Sequence, residues 1–169
     1  MEEATERLVR LFLESKGFLV RTNEKFRADK NKIPEIDIIA IRIKNNGKDN
    51  LPDRIVGEVK SWNIKEVHFL EESDKGRFKI LFKYRKETEK YIRGKYGKGF
   101  KFIIFSRECP RKQKDVIKKL LKKNNIRFCS LEDVIKGIES YSEERGYSND
   151  PELQILRLLK KLKKGGLKN

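Results

Sequence analysis

An α/β fold, with a mixed central sheet flanked by helices, is what this 169-residue chain predicts. Three observations carry that expectation. The runs Ile36–Ile39 and Phe102–Phe105 are dense enough in apolar residues to be buried as central strands. The segments between them space their apolar residues as amphipathic helices do, giving the order α-β-β-β-α-β-α-β-α. The length suits one domain with a real core, and the apolar fraction of 37% is low without being that of a disordered chain.

Ala4, Leu8, Leu11 and Phe12 recur at helical spacing, so a first helix is expected over about 2–16. Glu2, Glu3 and Glu6 stand near its positive end and Gly17 stops it. Phe18, Leu19 and Val20 lead into a short extended piece, followed by a polar excursion to Lys32. The stretch from Pro34 to Ile43 reads as a central strand, Asn45-Asn46-Gly47 breaks it, and Arg54–Trp62 is extended again, so the two form a hairpin with a long connection. With the fold near residue 48 or 49, Asp37 falls opposite Lys60 and one step from Glu58.

A second helix is expected over 74–96, with Phe78, Leu81, Phe82 and Ile92 toward the core. The rival reading makes 78–84 a strand, because a short apolar run does not settle the period. Phe100–Ser106 is a strand, and Pro110 opens a third helix that ends at Asn124-Asn125 with a left-handed cap. Ile126–Cys129 is another strand, and Ser130-Leu131-Glu132-Asp133 resembles a capping box for a short helix. Asp150-Pro151 starts a last helix striped by Leu156, Leu159 and Leu162. The division is a domain over 1–147 and a basic amphipathic tail over 148–169.

The formal charge of +16 is concentrated rather than spread. Residues 75–127 hold 20 basic and 4 acidic side chains, whereas residues 1–74 hold 14 and 15. Such a field attracts a polyanion, since each phosphate neutralised by Lys or Arg releases condensed counterions. The alternative is a solvated, thermophilic surface, which abundant Lys and Glu with only two Gln would also suit. Lys79, Lys83, Lys86, Lys90 and Arg93 advance by four and three along one side of the second helix, forming a nucleic-acid-binding stripe or a merely solvated face.

Other chemistry is excluded or weak. No apolar stretch approaches the roughly 18 residues that span a bilayer, and the acidic N-terminus is unlike a signal peptide, so the expectation is a cytoplasmic protein without a membrane partner. Cys109 and Cys129 have neither metal-ligand nor redox spacing. A single histidine, His68, leaves no Ser-His-Asp arrangement, and no glycine-rich loop fits a nucleotide or organic cofactor. Trp62 reads as core in preference to a base-stacking ring. The C-terminal helix suits docking on the core or dimerisation, with an anionic membrane as a weaker alternative.

The chemistry-bearing set is Glu6, Asp37, Glu58 and Lys60. Mg²⁺ takes hard oxygen ligands and usually only one or two protein carboxylates, which Asp37 and Glu58 would supply. In Glu58-Val59-Lys60 the period-two pleat sends both charged side chains to one face and Val59 to the core. A lysine there can orient a water or stabilise developing phosphorane charge. The alternatives are a hairpin salt bridge for Asp37, Glu58 and Lys60, and a helix-dipole role for Glu6.

Pro34-Glu35-Ile36-Asp37, a hairpin-length gap and Gly57-Glu58-Val59-Lys60-Ser61 resemble the bipartite motif of the PD-(D/E)xK nuclease superfamily, of restriction-endonuclease-like fold. The preceding helix with Glu6 is similar to that family's first helix, and the likeness extends over residues 2–130 in element order. Size, basicity and the Glu-Val-Lys-Ser string resemble archaeal Holliday-junction resolvases. Ile36 between Glu35 and Asp37, and the longer 45–53 turn, depart from that pattern. The resemblance implies an αβββαβ core in which Asp37, Glu58 and the Val59 carbonyl hold Mg²⁺ or Mn²⁺. It also implies that Lys60 positions the attacking water, that Glu6 assists, and that DNA hydrolysis leaves a 5′-phosphate and a 3′-hydroxyl. A homodimer would suit paired cuts on two strands. The rival expectation is a nucleic-acid-binding module of the same fold without activity.

Overall fold

The computed structural model describes residues 3–28, 31–44, 49–62, 71–72, 77–78, 84–107, 111–144 and 154. The helices are α1 (Ala4–Ser15), α2 (Arg85–Tyr96), α3 (Lys114–Lys123) and α4 (Leu131–Glu144), with a 3₁₀ turn over Arg111–Gln113 before α3. The strands are β1 (Phe18–Lys25), β2 (Glu35–Arg42), β3 (Arg54–Val59), β4 (Glu71–Glu72), β5 (Arg77–Phe78), β6 (Lys101–Ser106) and β7 (Ile126–Ser130). Five strands form one sheet in the order β1-β2-β3-β6-β7, while β4 and β5 pair separately. β2 is antiparallel to both β1 and β3; β6 lies parallel to β3, and β7 parallel to β6. The protein is therefore of α/β class with a mixed sheet flanked by helices, and no described helix is long and apolar enough to cross a membrane.

The sheet is buried on both faces, which explains why β2, β3 and β6 are rich in Ile, Val and Phe. Val9, Phe12 and Leu13 of α1 and Val134 and Ile138 of α4 close one face over Ile38, Ala40, Ile55, Val59, Ile103 and Phe105. Ile92 of α2 and Ile117 and Leu121 of α3 close the other over Ile39, Val56, Phe102 and Ile104. Each such side chain, fully removed from water, contributes roughly 1.5–3 kcal/mol before entropy is counted. α1 and α4 approach closely at Gly137, where an added Cβ would meet the Phe12 ring at 2.5 Å.

The termini follow local chemistry. Glu3 and Glu6 form a reciprocal capping box on α1, and Gly17, at φ 84°, ends it in the left-handed region. Asn125 is left-handed at φ 51° after α3, as expected. Ser130 Oγ accepts the Asp133 N–H at 3.0 Å, capping an α4 that is longer than the short helix expected.

Several expectations need correction. β1 runs eight residues rather than being a short piece, because it pairs with β2 along its length. The second helix does not begin at 74. Arg77–Phe78 is a strand and α2 starts at Arg85, so the strand reading holds at Phe78. An apolar run this short lets pairing with β4 override helical spacing. β3 ends at Val59 instead of Trp62, and Trp62 is 36% exposed rather than core. His68, Cys109, Pro110, the 45–47 break and the helix expected from Pro151 lie outside the described residues, apart from a helical Gln154.

Candidate active site

The site grows from the β2–β3 hairpin. Its ladder runs Ile41↔Arg54, Ala40↔Ile55, Ile39↔Val56 and Ile38↔Gly57, two residues tighter than the pairing expected from sequence. A shift of two keeps every side chain on its own face, so the expected convergence survives while Asp37 comes level with Glu58 instead of Lys60. Arg42 pins the hairpin. It donates to Asp49 at 2.6 Å, to Asp53 at 3.0 Å and to the carbonyls of Leu51 and Lys16 at 3.1 Å, with its guanidinium over the Phe18 ring. Gly57 is required by close approach, since a Cβ there would lie 2.9 Å from the Ile38 Cβ.

At the end of this hairpin Lys60 Nζ lies 2.9 Å from Glu58 Oε1 and 3.4 Å from Asp37 Oδ2. The Val59 N–H donates to the same Asp37 oxygen at 2.8 Å, and the Lys60 N–H donates to the Phe105 carbonyl at 2.8 Å. The three side chains keep only 15–22% of their exposure. Burial pushes the Asp37 carboxyl up, partly offset by the Lys60 charge and the Val59 N–H. Burial opposes the Lys60 charge, but Glu58 and Asp37 outweigh it and raise its pKa, so the ammonium persists.

Glu6 does not join this trio directly. Its carboxylate is buried and accepts the Glu3 N–H at 3.2 Å. Burial raises its pKa, the Glu3 N–H lowers it and the nearby Asp37 charge raises it again. Asn23 ties it to Glu35 instead. With its amide oriented to satisfy its neighbours, its nitrogen donates to Glu6 Oε2 and Glu35 Oε1, each at 3.0 Å. The β1–β2 register passes from Thr22↔Ile38 to Glu24↔Ile36, leaving Asn23 across from Asp37. Asn23 is left-handed at φ 55°, and Ile36 and Ile38, two apart, enter different cores at this point. Asn23 is not among the residues expected at the site, its only signal being an Asn, tolerant of the left-handed region, within a polar stretch.

Glu58 and Lys60 follow Val56 at even spacing, so they project to the α2/α3 side of the sheet. That side is the basic one. α2 carries five basic and two acidic residues and α3 five and one, whereas α4 carries one and five. Lys86, Lys90 and Arg93 are exposed along α2; Lys79 and Lys83 lie outside the described residues. On β1, the buried Glu24 accepts Lys95 at 2.6 Å, Arg21 at 2.6 Å and the hydroxyls of Tyr91 and Tyr96, tying α2 to β1.

Among the described residues no group of three or more His, Cys, Asp or Glu side chains is gathered as a metal cage. The donor set still suits Mg²⁺ or Mn²⁺, because two carboxylates within ion-pair reach of one ammonium offer the hard oxygens that such ions take alongside water. No known family model matches the chain, and no curated protein or solved structure is significantly similar to it.

Proposed function

We propose that this chain is a divalent-metal-dependent endonuclease of restriction-endonuclease-like fold that hydrolyses DNA phosphodiester bonds, including those of branched DNA. The observation that carries the reading is the convergence of Asp37, Glu58 and Lys60 at one end of a hairpin, with Glu58 and Lys60 on the basic side of the sheet. Asp37, Glu58 and the Val59 carbonyl would hold Mg²⁺ or Mn²⁺, which supplies Lewis acidity and an activated water when bound. Lys60 keeps its proton between two carboxylates and so can orient a water and offset charge gained by the phosphoryl oxygens. Glu6, held by Asn23, keeps a further acceptor beside Asp37. Lys86, Lys90 and Arg93 hold backbone phosphates without reading sequence.

The second reading is an inactive nucleic-acid-binding module, favoured by the ion pairs that already engage both carboxylates. A panel of linear, flap and four-way-junction DNA with Mg²⁺ or Mn²⁺ separates the two. Cleavage by the parent, with Asp37→Ala, Glu58→Ala and Lys60→Ala binding but not cutting, supports the nuclease. Salt-sensitive binding without cleavage on any substrate supports the module.

A further inference from the structure

A cavity of about 290 Å³ opens beside α2 on the same side of the sheet as Glu58 and Lys60. Arg85, Arg93 and Lys98 line it with Phe100 and a single carboxylate, Glu89, while Lys101, level with Ile55 and next to Phe102, sends its side chain to the other face. Glu89 is already engaged by Arg85 Nε at 2.9 Å. Arg85 is fixed further by the Asn124 carbonyl at 2.5 Å and by stacking 4.6 Å above the Phe102 ring. Among the described residues nothing pairs with the side chains of Arg93 or Lys98, which are exposed. The turn bearing Lys98 is tied down. Gly97 and Gly99 are left-handed at φ 88° and 91°, and Arg54 Nη1 donates to the Tyr96 and Lys98 carbonyls at 3.0 and 3.1 Å. Two unpaired cations, Lys98 on this preorganised turn and Arg93 on α2, suit an anion whose desolvation they offset.

Lys101 stands beside Ile55 in the parallel ladder and Glu58 beside Ile104. The cavity therefore lies about 10–17 Å from Glu58 along the strands, at ~3.3 Å per residue.

We propose that this cavity grips a second DNA backbone phosphate, about 10–17 Å from the one presented to Asp37, Glu58 and Lys60. The inference rests on the DNA-binding part of the proposed function and deepens it by fixing the path of the strand across α2.

The test is fluorescence anisotropy of a labelled duplex across a salt series, without Mg²⁺ or Mn²⁺, so no turnover is needed. Lys98→Ala should bind about tenfold more weakly, with the slope of log K against log salt smaller by about 0.9 for the lost phosphate. Lys98→Arg, which keeps the charge, should bind like the parent, as should Lys136→Ala on α4. Unchanged affinity and slope in the alanine variant would overturn the proposal, as would an equal loss in the arginine variant. Saturable binding of free dAMP that the alanine variant loses while keeping its DNA affinity would overturn it too, making the cavity a free-nucleotide site. If the parent bound no DNA, the proposed function itself would fail; bound DNA with indifferent variants sinks only this inference.

Discussion

Lys60→Met removes the ammonium while keeping an unbranched chain of similar length. Its two contacts, 2.9 Å to Glu58 and 3.4 Å to Asp37, are worth about 5 kcal/mol each in gross attraction at an effective dielectric of about 20. Most of this offsets desolvation of groups that keep 15–22% exposure. Leaving two facing carboxylates behind costs about 3–5 kcal/mol when fully buried, and about 2 kcal/mol after discounting for this residual exposure. For a chain of this size that is a fall in Tm of about 4–8 °C. Differential scanning calorimetry at neutral pH, in chelator and then in Mn²⁺, reads both halves of the argument. The variant should melt lower than the parent in chelator and gain more from Mn²⁺, because no ammonium competes for the carboxylates, while DNA cleavage is lost. Equal melting of parent and variant in chelator, with equal Mn²⁺ shifts, would show that Lys60 neither neutralises the carboxylates nor contends with a metal for them.

Two further outcomes are expected. Burial opposes ionisation of Glu24, but hydrogen bonds from Lys95 and Tyr91 and the Arg21 charge outweigh it, bringing its pKa from 4.5 down to about 2. A depressed folded-state pKa stabilises above about pH 4.5 and is lost as pH falls toward 2. Because Arg21 and Lys95 are solvent-screened, the contribution is about 1–2 kcal/mol, and urea midpoints should show Glu24→Gln lacking that share of the acid dependence. At Asn23, Gly preserves the left-handed backbone and Ala does not. Asn23→Gly should melt somewhat lower through its lost side-chain bonds and cleave more slowly, and Asn23→Ala should lose a further ~1–2 kcal/mol in chemical denaturation; equal cleavage by parent and Asn23→Gly would remove Asn23 from the site.

Much of this architecture is legible in the chain because it is local. The apolar spacing of Leu8, Leu11 and Phe12 writes α1, and the β-branched run through Ile36–Ile41 writes β2. Glu58-Val59-Lys60 places two charges on one face by the pleat alone. The short Phe78–Phe82 run is ambiguous, since so few residues fit either period, and the Trp62 environment depends on where β3 ends.

Three things are written in the residues alone: which side chains are candidates for chemistry, the alternation that aligns Glu58 with Lys60, and the middle-chain excess of positive charge. Three others emerge with the folded chain. Asp37 comes level with Glu58, Asn23 turns left-handed to hold Glu6 and Glu35, and Glu58 and Lys60 share a face of the sheet with α2 and α3. The division is one of range. Periodicity and charge act over a few neighbours, whereas register, a backbone inversion and the packing of helices on a sheet depend on contacts between residues far apart in the chain.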